Sequence, residues 1–272
     1  MVLRVIKEAE KMEEDEEPDL DVEMLIADIS NWILDYANTN NISTLVVGVS
    51  GGIDSAVTSI LCAKTGLSTL VLNMPINQAE SQYELSNQHI EYLQSNWSNV
   101  NSHIIDLSET FHAFGIGLGE YISNLTLANA KARLRMTTLY HFAGLLNGIV
   151  VGTGNKVEDF GVGFFTKYGD GGVDISPIAD LYKSEIYSLA ESLGIIQEIQ
   201  DASPTDGLWD DGRTDEDQIG ATYDELEWAM MEIESPSGEE FTERQREVME
   251  RYLELNRINF HKMNPIPVFK KK

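Results

Sequence analysis

The stretch TLVVGVSGGIDS, residues 44–55, decides the fold of this 272-residue chain. It opens with a nearly continuous apolar run over 44–49, which is typical of a strand buried on both faces of a parallel sheet. A Ser-Gly-Gly turn breaks the run, and a helical pattern then continues over 53–64 and ends before Gly66. The stretch therefore predicts a strand, a glycine turn and a helix, with the turn at the carboxyl end of the strand.

The same alternation of strands and helices continues on both sides of this stretch. Apolar spacing predicts a helix over 20–36, strands over 69–74, 103–107 and 148–152, and helical regions over 79–94 and 119–147. Alternating strands and helices imply right-handed crossovers. We therefore predict an α/β fold in which a doubly wound parallel sheet is flanked by helices in a single domain. Ligands of such sheets bind beyond the carboxyl ends of the strands.

The two ends of the chain are less regular. Residues 1–18 are charged and end at a proline, so we expect a flexible acidic leader before a domain that covers residues 19–272. Residues 161–172 are rich in glycine and aromatic side chains, which indicates an ordered but irregular loop, and the acidic segment 201–217 indicates a mobile one. Further helices are predicted over 181–193, 222–233 and 242–257.

The acidic composition limits the classes of partner. With 45 acidic and 19 basic residues the formal net charge is -26, and such a chain repels nucleic-acid backbones, which bind through Lys and Arg. We therefore expect no nucleic-acid partner. Backbone N–H groups and a bound cation can still hold a polyphosphate locally. The acidity fits either a surface tuned for solubility or a salty cell interior.

The apolar residues and the single cysteine favour a cytoplasmic protein. The apolar fraction of 42% is ordinary for a globular chain, and no apolar run reaches the roughly 18 residues that a bilayer crossing requires. Residues 1–17 are acidic, so we expect neither a signal peptide nor a membrane partner. Cys62 alone cannot form an internal disulfide, and its place on the helix after the glycine turn favours packing over a role as nucleophile.

The glycine turn carries the strongest functional signal. Its glycines let the backbone approach a ligand closely, and the following helix start offers unpaired N–H groups and a positive dipole end. The residues predicted to hold a phosphate-bearing ligand here are Gly48, Ser50, Gly51, Gly52 and Ser55. Asp54 would repel phosphate unless a cation lay between them, which argues for Mg²⁺. The Walker ending Gly-Lys-Ser is absent. The alternative is a glycine-rich turn without a ligand.

This turn resembles the pyrophosphate loop of the ATP pyrophosphatases, which adenylate a carboxylate or carbonyl group. That superfamily includes the synthetase domains for NAD, GMP, asparagine and argininosuccinate, and tRNA-thiolating enzymes. The loop alone does not separate its members. The resemblance implies an adenine nucleotide alpha hydrolase-like fold.

Three further segments resemble the NAD synthetases in particular. Residues 129–135, NAKARLR, resemble the Asn-x-x-Ala-Arg-x-Arg helix of that family, and 163–174, GFFTKYGDGGVD, resemble its second signature. Pro204-Thr205-Asp206, the helix that begins at Tyr223 and the pair His261-Lys262 follow in family order. The resemblance covers residues 20–268. It implies an ammonia-dependent ligase that amidates deamido-NAD with ATP and releases NAD, AMP and pyrophosphate, the last step of NAD biosynthesis.

The resemblance also implies a role for individual residues. The implied ATP contacts outside the turn are Thr153, Lys183 and Thr205. Asp54 and Glu158 are implied as Mg²⁺ ligands, and Asp54, Lys183 and Asp170 as the catalytic residues. The implied contacts of deamido-NAD are Arg133, Lys167, Asp174, His261 and Lys262. Relatives carry an Arg at the end of the second strand where this chain has Asn73, which leaves Gln78 as the candidate on the adenine side.

Several of these residues have an ordinary structural alternative. Without the resemblance, Arg133 and Arg135 would be expected to form surface ion pairs, and Lys183 and His261 to be solvated. Glu158 would be a first-turn acid of a helix.

Two other functional classes remain open from the sequence. One is another adenylating ATP pyrophosphatase, GMP synthetase-like or tRNA-thiolating, of which the latter would need a basic surface and often a Cys-x-x-Cys pair. The other is a non-catalytic nucleotide-binding protein that keeps only the loop. The resemblance further implies a homodimer with interface from residues 119–147, and ammonia rather than glutamine as nitrogen source, since no amidase cysteine is seen.

Overall fold

Four parallel strands form the central sheet in the order β3-β2-β1-β4. They are β1, Thr44–Gly48; β2, Ser68–Asn73; β3, Val100–Ile104; and β4, Gly148–Val150. Thr44 of the central strand pairs with Ser68 on one side and Gly148 on the other. The structure is a computed structural model that describes residues 21–78, 80–205, 207–209 and 212–271. The leader predicted for residues 1–18 and the motif residue Asp206 lie outside this description.

Ten α-helices and one π-helical segment surround the sheet in the described part of the chain. They are α1, Val22–Thr39; α2, Ile53–Lys64; α3, Glu80–Asn96; α4, Ser108–Leu118; α5, Asn124–Leu145; the π-helix, Val157–Val162; α6, Lys183–Ser192; α7, Gln197–Gln200; α8, Asp215–Ile219; α9, Tyr223–Glu234; and α10, Glu243–Met263. Side chains cap several of them, including Asp21 at α1 and Thr222 at α9. Within the described ranges no helix combines the length and apolar character of a bilayer crossing.

Both faces of the sheet are covered by helices. Leu45 and Val47 of β1 belong to a buried cluster with residues of α1, α2, α3 and α6, whereas Val46 between them belongs to a second cluster with residues of α4 and α5. Successive side chains of a strand point to opposite faces, so a fully apolar strand can serve both clusters. This confirms the doubly wound α/β fold that was predicted from residues 44–55.

A third apolar cluster lies away from the sheet. It joins the π-helix with α9 and α10 through residues such as Val157, Leu226, Met230 and Tyr252. Met230 is buried there, while Met231 is exposed, so the two neighbouring methionines have different environments. This cluster fixes α9 against the π-helix, which carries Glu158.

The chain changes direction across the sheet at β1. From β1 it builds β2 and β3 on one side, and it then returns to place β4 on the other side of β1. The carboxyl ends of β1 and β4 therefore border a crevice, which is where open α/β sheets bind ligands.

The structure corrects two element boundaries. The third strand was predicted over 103–107 but is Val100–Ile104, because β3 is a sheet edge with mostly exposed side chains and its apolar pattern is weak. The helical region predicted over 119–147 begins at Asn124. A separate helix, α4, precedes it; the sequence analysis missed α4 because it contains two glycines and no fully buried residue.

Candidate active site

A cavity of about 800 Å³ opens at the carboxyl ends of the strands, within the size range of small-molecule sites. It collects segments that are far apart in the sequence: the turn after β1, the end of β2, the segment after β4 and the start of α6. Every residue predicted for ATP, Mg²⁺ or catalysis lines it, namely Gly48, Ser50, Gly51, Gly52, Asp54, Ser55, Gln78, Thr153, Glu158, Asp170, Lys183 and Thr205.

The glycine turn is held by hydrogen bonds within itself. The Ser50 N–H donates to Ser55 Oγ over 3.2 Å, and Ser55 Oγ donates to the carbonyl of Gly52 over 2.9 Å. Gly51 has φ +87°, and a Cβ there would lie 2.8 Å from the Gln82 carbonyl oxygen. Only glycine satisfies both the backbone angle and the close approach of α3.

The turn leads directly into the N-terminus of α2. Gly52 is its N-cap and supplies no side chain, so among the described residues no side chain caps this helix. The first-turn N–H groups and the positive end of the helix dipole therefore face the cavity mouth, which suits an anionic group such as a phosphate.

A buried ion-pair cluster lies beside this helix start. Lys183 Nζ donates to Asp54 Oδ2 over 2.6 Å and lies 3.5 Å from Glu158 Oε1. The Lys183 side chain is only 3% exposed. Burial opposes its charged form, but the two carboxylates outweigh burial and raise the pKa of Lys183 above its ordinary value. Lys183 is therefore a cation at physiological pH, and α6 brings it there from a position 129 residues beyond Asp54.

Two side chains that the sequence analysis gave no role hold Glu158 in place. The Tyr223 hydroxyl donates to Glu158 Oε1 over 2.6 Å, and Asn155 Nδ2 donates to the same oxygen over 2.7 Å. Burial and the surrounding carboxylates raise the pKa of Tyr223, so its hydroxyl remains protonated and donates. The position of Asn155 three residues before Glu158, near an implied ligand, was the available signal for it.

The same carboxylates fit a divalent cation. Asp54 and Glu158 offer hard oxygen donors, and both approach one point, which the Lys183 ammonium occupies in this structure. Mg²⁺ prefers oxygen ligands and usually keeps water or phosphate oxygens in the rest of its octahedron. Two protein carboxylates beside a phosphate site are consistent with that preference.

More carboxyl groups line the wall opposite Lys183. Asp159 follows Glu158 in the π-helix, and burial together with Glu158, Asp170 and Asp54 raises the pKa of Asp159 to about 8. Asp170 accepts from the backbone N–H of Thr166 over 3.1 Å. Asp159 is therefore mostly protonated at neutral pH, and its carboxyl group can donate a hydrogen bond into the cavity.

A guanidinium group from α5 lies near the end of β2. Asn73 is buried and donates to Asn87 Oδ1 over 3.1 Å. Arg135 reaches across from α5, donates to the carbonyl of Met74 over 3.1 Å and approaches Gln78 Oε1 at 3.5 Å. Arg135 thus lies in the cavity wall, near the end of β2 where relatives carry an arginine and this chain has Asn73.

Four of the five residues predicted to bind the dinucleotide form a basic group that does not line this cavity. Arg133 donates to the Lys167 carbonyl over 3.2 Å, and Lys167 in turn donates to the carbonyl of His261. Lys262 donates to the Phe165 carbonyl over 2.7 Å. The fold therefore gathers Arg133, Lys167, His261 and Lys262 from three segments. Their ligand remains a prediction.

Asp174 lies apart from that basic group. Its carboxylate accepts the Val150 N–H over 2.8 Å and the Tyr140 hydroxyl over 3.0 Å. It thus links the carboxyl end of β4 to α5. This contact is a structural role beside the substrate contact that the sequence analysis predicted.

The fold and the cavity together define an α/β protein of the nucleotide-binding type, in which a glycine turn opens beside a buried ion-pair cluster. The model of the NAD synthase family matches residues 25–266. The NH₃-dependent NAD⁺ synthetase of Finegoldia magna is 39% identical over 209 residues, which cover 76% of this chain and 83% of that protein. That of Alkaliphilus metalliredigens is 35% identical over 259 residues, which cover 91% and 99%.

The solved structures give the same result. The NMN synthetase of Francisella tularensis superposes with a TM-score of 0.83 at 32% identity and covers 93% of this chain and 100% of its own. The chain belongs to the NAD synthase family.

Proposed function

We propose that this protein is an ammonia-dependent NAD synthetase, a ligase that forms a carbon–nitrogen bond by amidating the nicotinate carboxylate of deamido-NAD. The observation that carries the proposal is the convergence of the glycine turn, Asp54, Glu158 and Lys183 in one cavity. A non-catalytic nucleotide binder would need the turn but not the buried cation cluster beside it.

In the first step the nicotinate carboxylate attacks the α-phosphorus of ATP. A bond forms between a carboxylate oxygen and phosphorus, and the bond to the bridging oxygen of the β-phosphate breaks, so pyrophosphate leaves. The amides of the glycine turn and the N-terminus of α2 hold the departing phosphates. Lys183, protonated and buried, stabilises the charge that develops on the phosphoryl oxygens.

In the second step ammonia attacks the carbonyl carbon of the adenylate. The new carbon–nitrogen bond replaces the carbon–oxygen bond to AMP, and the nitrogen gives a proton to water to yield the amide. No side-chain nucleophile is needed, so the catalytic work consists of positioning and charge neutralisation. The carboxyl groups of Asp159 and Asp170 line the same cavity and would offer hydrogen-bond partners to the incoming ammonia.

Asp54 and Glu158 would hold the Mg²⁺ that accompanies ATP. When bound, this ion supplies charge neutralisation and polarises the phosphoryl oxygens. Lys183, which pairs with both carboxylates in this structure, would then be available to the phosphate.

The active protein is proposed to be a cytoplasmic homodimer. Large apolar side chains are exposed around α4 and α5, among them Ile116, Tyr121, Leu125 and Leu145. An exposed apolar patch of this kind is typical of an interface. By the family resemblance, the dinucleotide would bind across that interface and would contact the basic group of Arg133 and Lys167. Light scattering at micromolar concentration tests this, and a monomer would contradict it.

A second candidate is the amidation of deamido-NMN, the mononucleotide with the same nicotinate carboxylate. The likeness to the Francisella tularensis NMN synthetase favours it. The chemistry at the carboxylate would be identical, and only the contacts to the distal AMP half would be lost.

One assay separates these activities. Purified protein is incubated with ATP, Mg²⁺ and ammonium together with deamido-NAD or deamido-NMN, and AMP, NAD and NMN are measured, with glutamine replacing ammonium as control. NAD formation with ammonium and not with glutamine supports the main proposal. Higher kcat/KM with deamido-NMN would transfer the assignment to the mononucleotide, and no AMP with either acid would refute both.

A further inference from the structure

Tyr223 touches the cation site in two ways. Its hydroxyl donates to Glu158 Oε1 over 2.6 Å, and Lys183 Nζ lies 4.6 Å from the centre of its ring. The residue is 5% exposed and packs in the apolar cluster of the π-helix, α9 and α10. Packing in this cluster therefore fixes the ring, and with it the hydroxyl that meets the carboxylate.

Asn155 approaches Glu158 from the segment after β4 and is fully buried. Its Nδ2 donates to Glu158 Oε1 over 2.7 Å and to Asp54 Oδ1 over 3.3 Å. Its Oδ1 accepts the backbone N–H of Glu158 over 3.1 Å. One amide group thus sets the spacing of both carboxylates.

The hydroxyl and the amide converge on the same oxygen of Glu158. Two short hydrogen bonds to Oε1 fix the rotation of the carboxylate, and Oε2 carries no hydrogen bond to any residue that the structure describes. A carboxylate fixed in this way presents a defined oxygen to a cation without reorganising when the cation arrives.

We propose that Tyr223, with Asn155, is a positioning residue that orients the Glu158 carboxylate for the divalent cation of the ATP reaction. The inference rests on the proposed function, because it concerns the cation that accompanies ATP. Partners of metal ligands affect metal affinity or activity by about 10- to 100-fold when they are removed.

The test is the variant Tyr223→Phe, which removes the hydroxyl and keeps the ring beside Lys183. We expect half-maximal activity to require about 10-fold or more Mg²⁺, with kcat recovering at saturating Mg²⁺. The affinity for Mn²⁺ should weaken by the same factor. It is measured in the presence of a non-hydrolysable ATP analogue, from the electron paramagnetic resonance signal of free Mn²⁺. An unchanged Mg²⁺ requirement, or a loss of kcat that Mg²⁺ does not restore, would overturn the proposal.

Tyr252→Phe is the matched control. Tyr252 is buried in the same apolar cluster but makes no hydrogen bond to Glu158. A purely structural effect would shift thermal stability in both variants and metal affinity in neither. If Tyr223→Phe fails to fold, Asn155→Ser removes the second donor to Oε1 and must give the same Mg²⁺ signature.

The two proposals fail differently. Wild-type protein that makes no NAD but binds Mn²⁺ more tightly than Tyr223→Phe would refute the proposed function and leave the positioning role supported. Active wild-type protein with the same metal affinity as Tyr223→Phe would refute only the positioning role.

Discussion

Replacing Lys183 with methionine should make the protein depend on Mg²⁺ for stability even without nucleotide. In the structure Lys183 Nζ balances Asp54 and Glu158 at 2.6 and 3.5 Å. Methionine keeps the apolar stem but removes the charge. The two carboxylates then repel each other and offer a vacant site to a divalent cation.

The magnitude follows from the burial of the cluster. Removing one partner of a buried ion pair costs about 3–5 kcal/mol. Because Asp54 and Glu158 keep 18% and 17% side-chain exposure, we expect the lower end, about 3 kcal/mol. For a chain of this size that corresponds to a fall in Tm of roughly 6–12 °C. Mg²⁺ at about 100 times its Kd would return about 2.7 kcal/mol, nearly the whole loss.

The assay is thermal unfolding in chelated buffer and then with MgCl₂ added at constant ionic strength. Lys156→Met is the matched control, because Lys156 is also mostly buried but pairs with Glu234 and not with the cation site. We expect a large Mg²⁺-dependent rise in Tm only for Lys183→Met. Two results would refute the role of Lys183 as the cation in the unliganded site. One is a Tm of Lys183→Met in chelator equal to that of the wild type, and the other is an equal Mg²⁺-dependent rise in Tm for all three proteins.

Three further predictions concern the phosphate site and the core. Asp54→Ala should lower NAD formation by at least about 100-fold, since charge stabilisation at the reacting phosphate is lost; near-normal turnover would contradict its metal role. Burial lowers the pKa of His89 to about 4. Between about pH 6.5 and 4 only the unfolded chain therefore binds the proton, so the free energy of unfolding should fall by about 3 kcal/mol as the pH drops through this range. His89→Gln should flatten this dependence in denaturant titrations, whereas the exposed His112→Gln should not. Gly51→Ala should lower the free energy of unfolding by about 1–3 kcal/mol because Gly51 has a positive φ. Gly52→Ala should lower it less, because Gly52 has φ -90°; equal losses in the two variants would contradict the backbone strain at Gly51.

Local sequence was sufficient for much of the fold. The apolar run at β1 and the helix after it were predicted at nearly their observed bounds, because a buried strand and a helix flanked by glycines have strong local patterns. The edge strand β3 and the exposed helix α4 were misplaced or missed. Elements that bury little apolar surface have weak patterns, so their limits depend on neighbours that a local window does not contain.

The glycine turn and the helix start after it were determined by the sequence itself, because backbone angles and helix starts are local properties. Only the tertiary structure decided that Lys183 lies between Asp54 and Glu158, and that Tyr223 and Asn155 hold one oxygen of Glu158. These contacts join residues up to 129 positions apart. Their geometry arises when α6 and α9 pack against the sheet and the π-helix, which no spacing along the chain encodes.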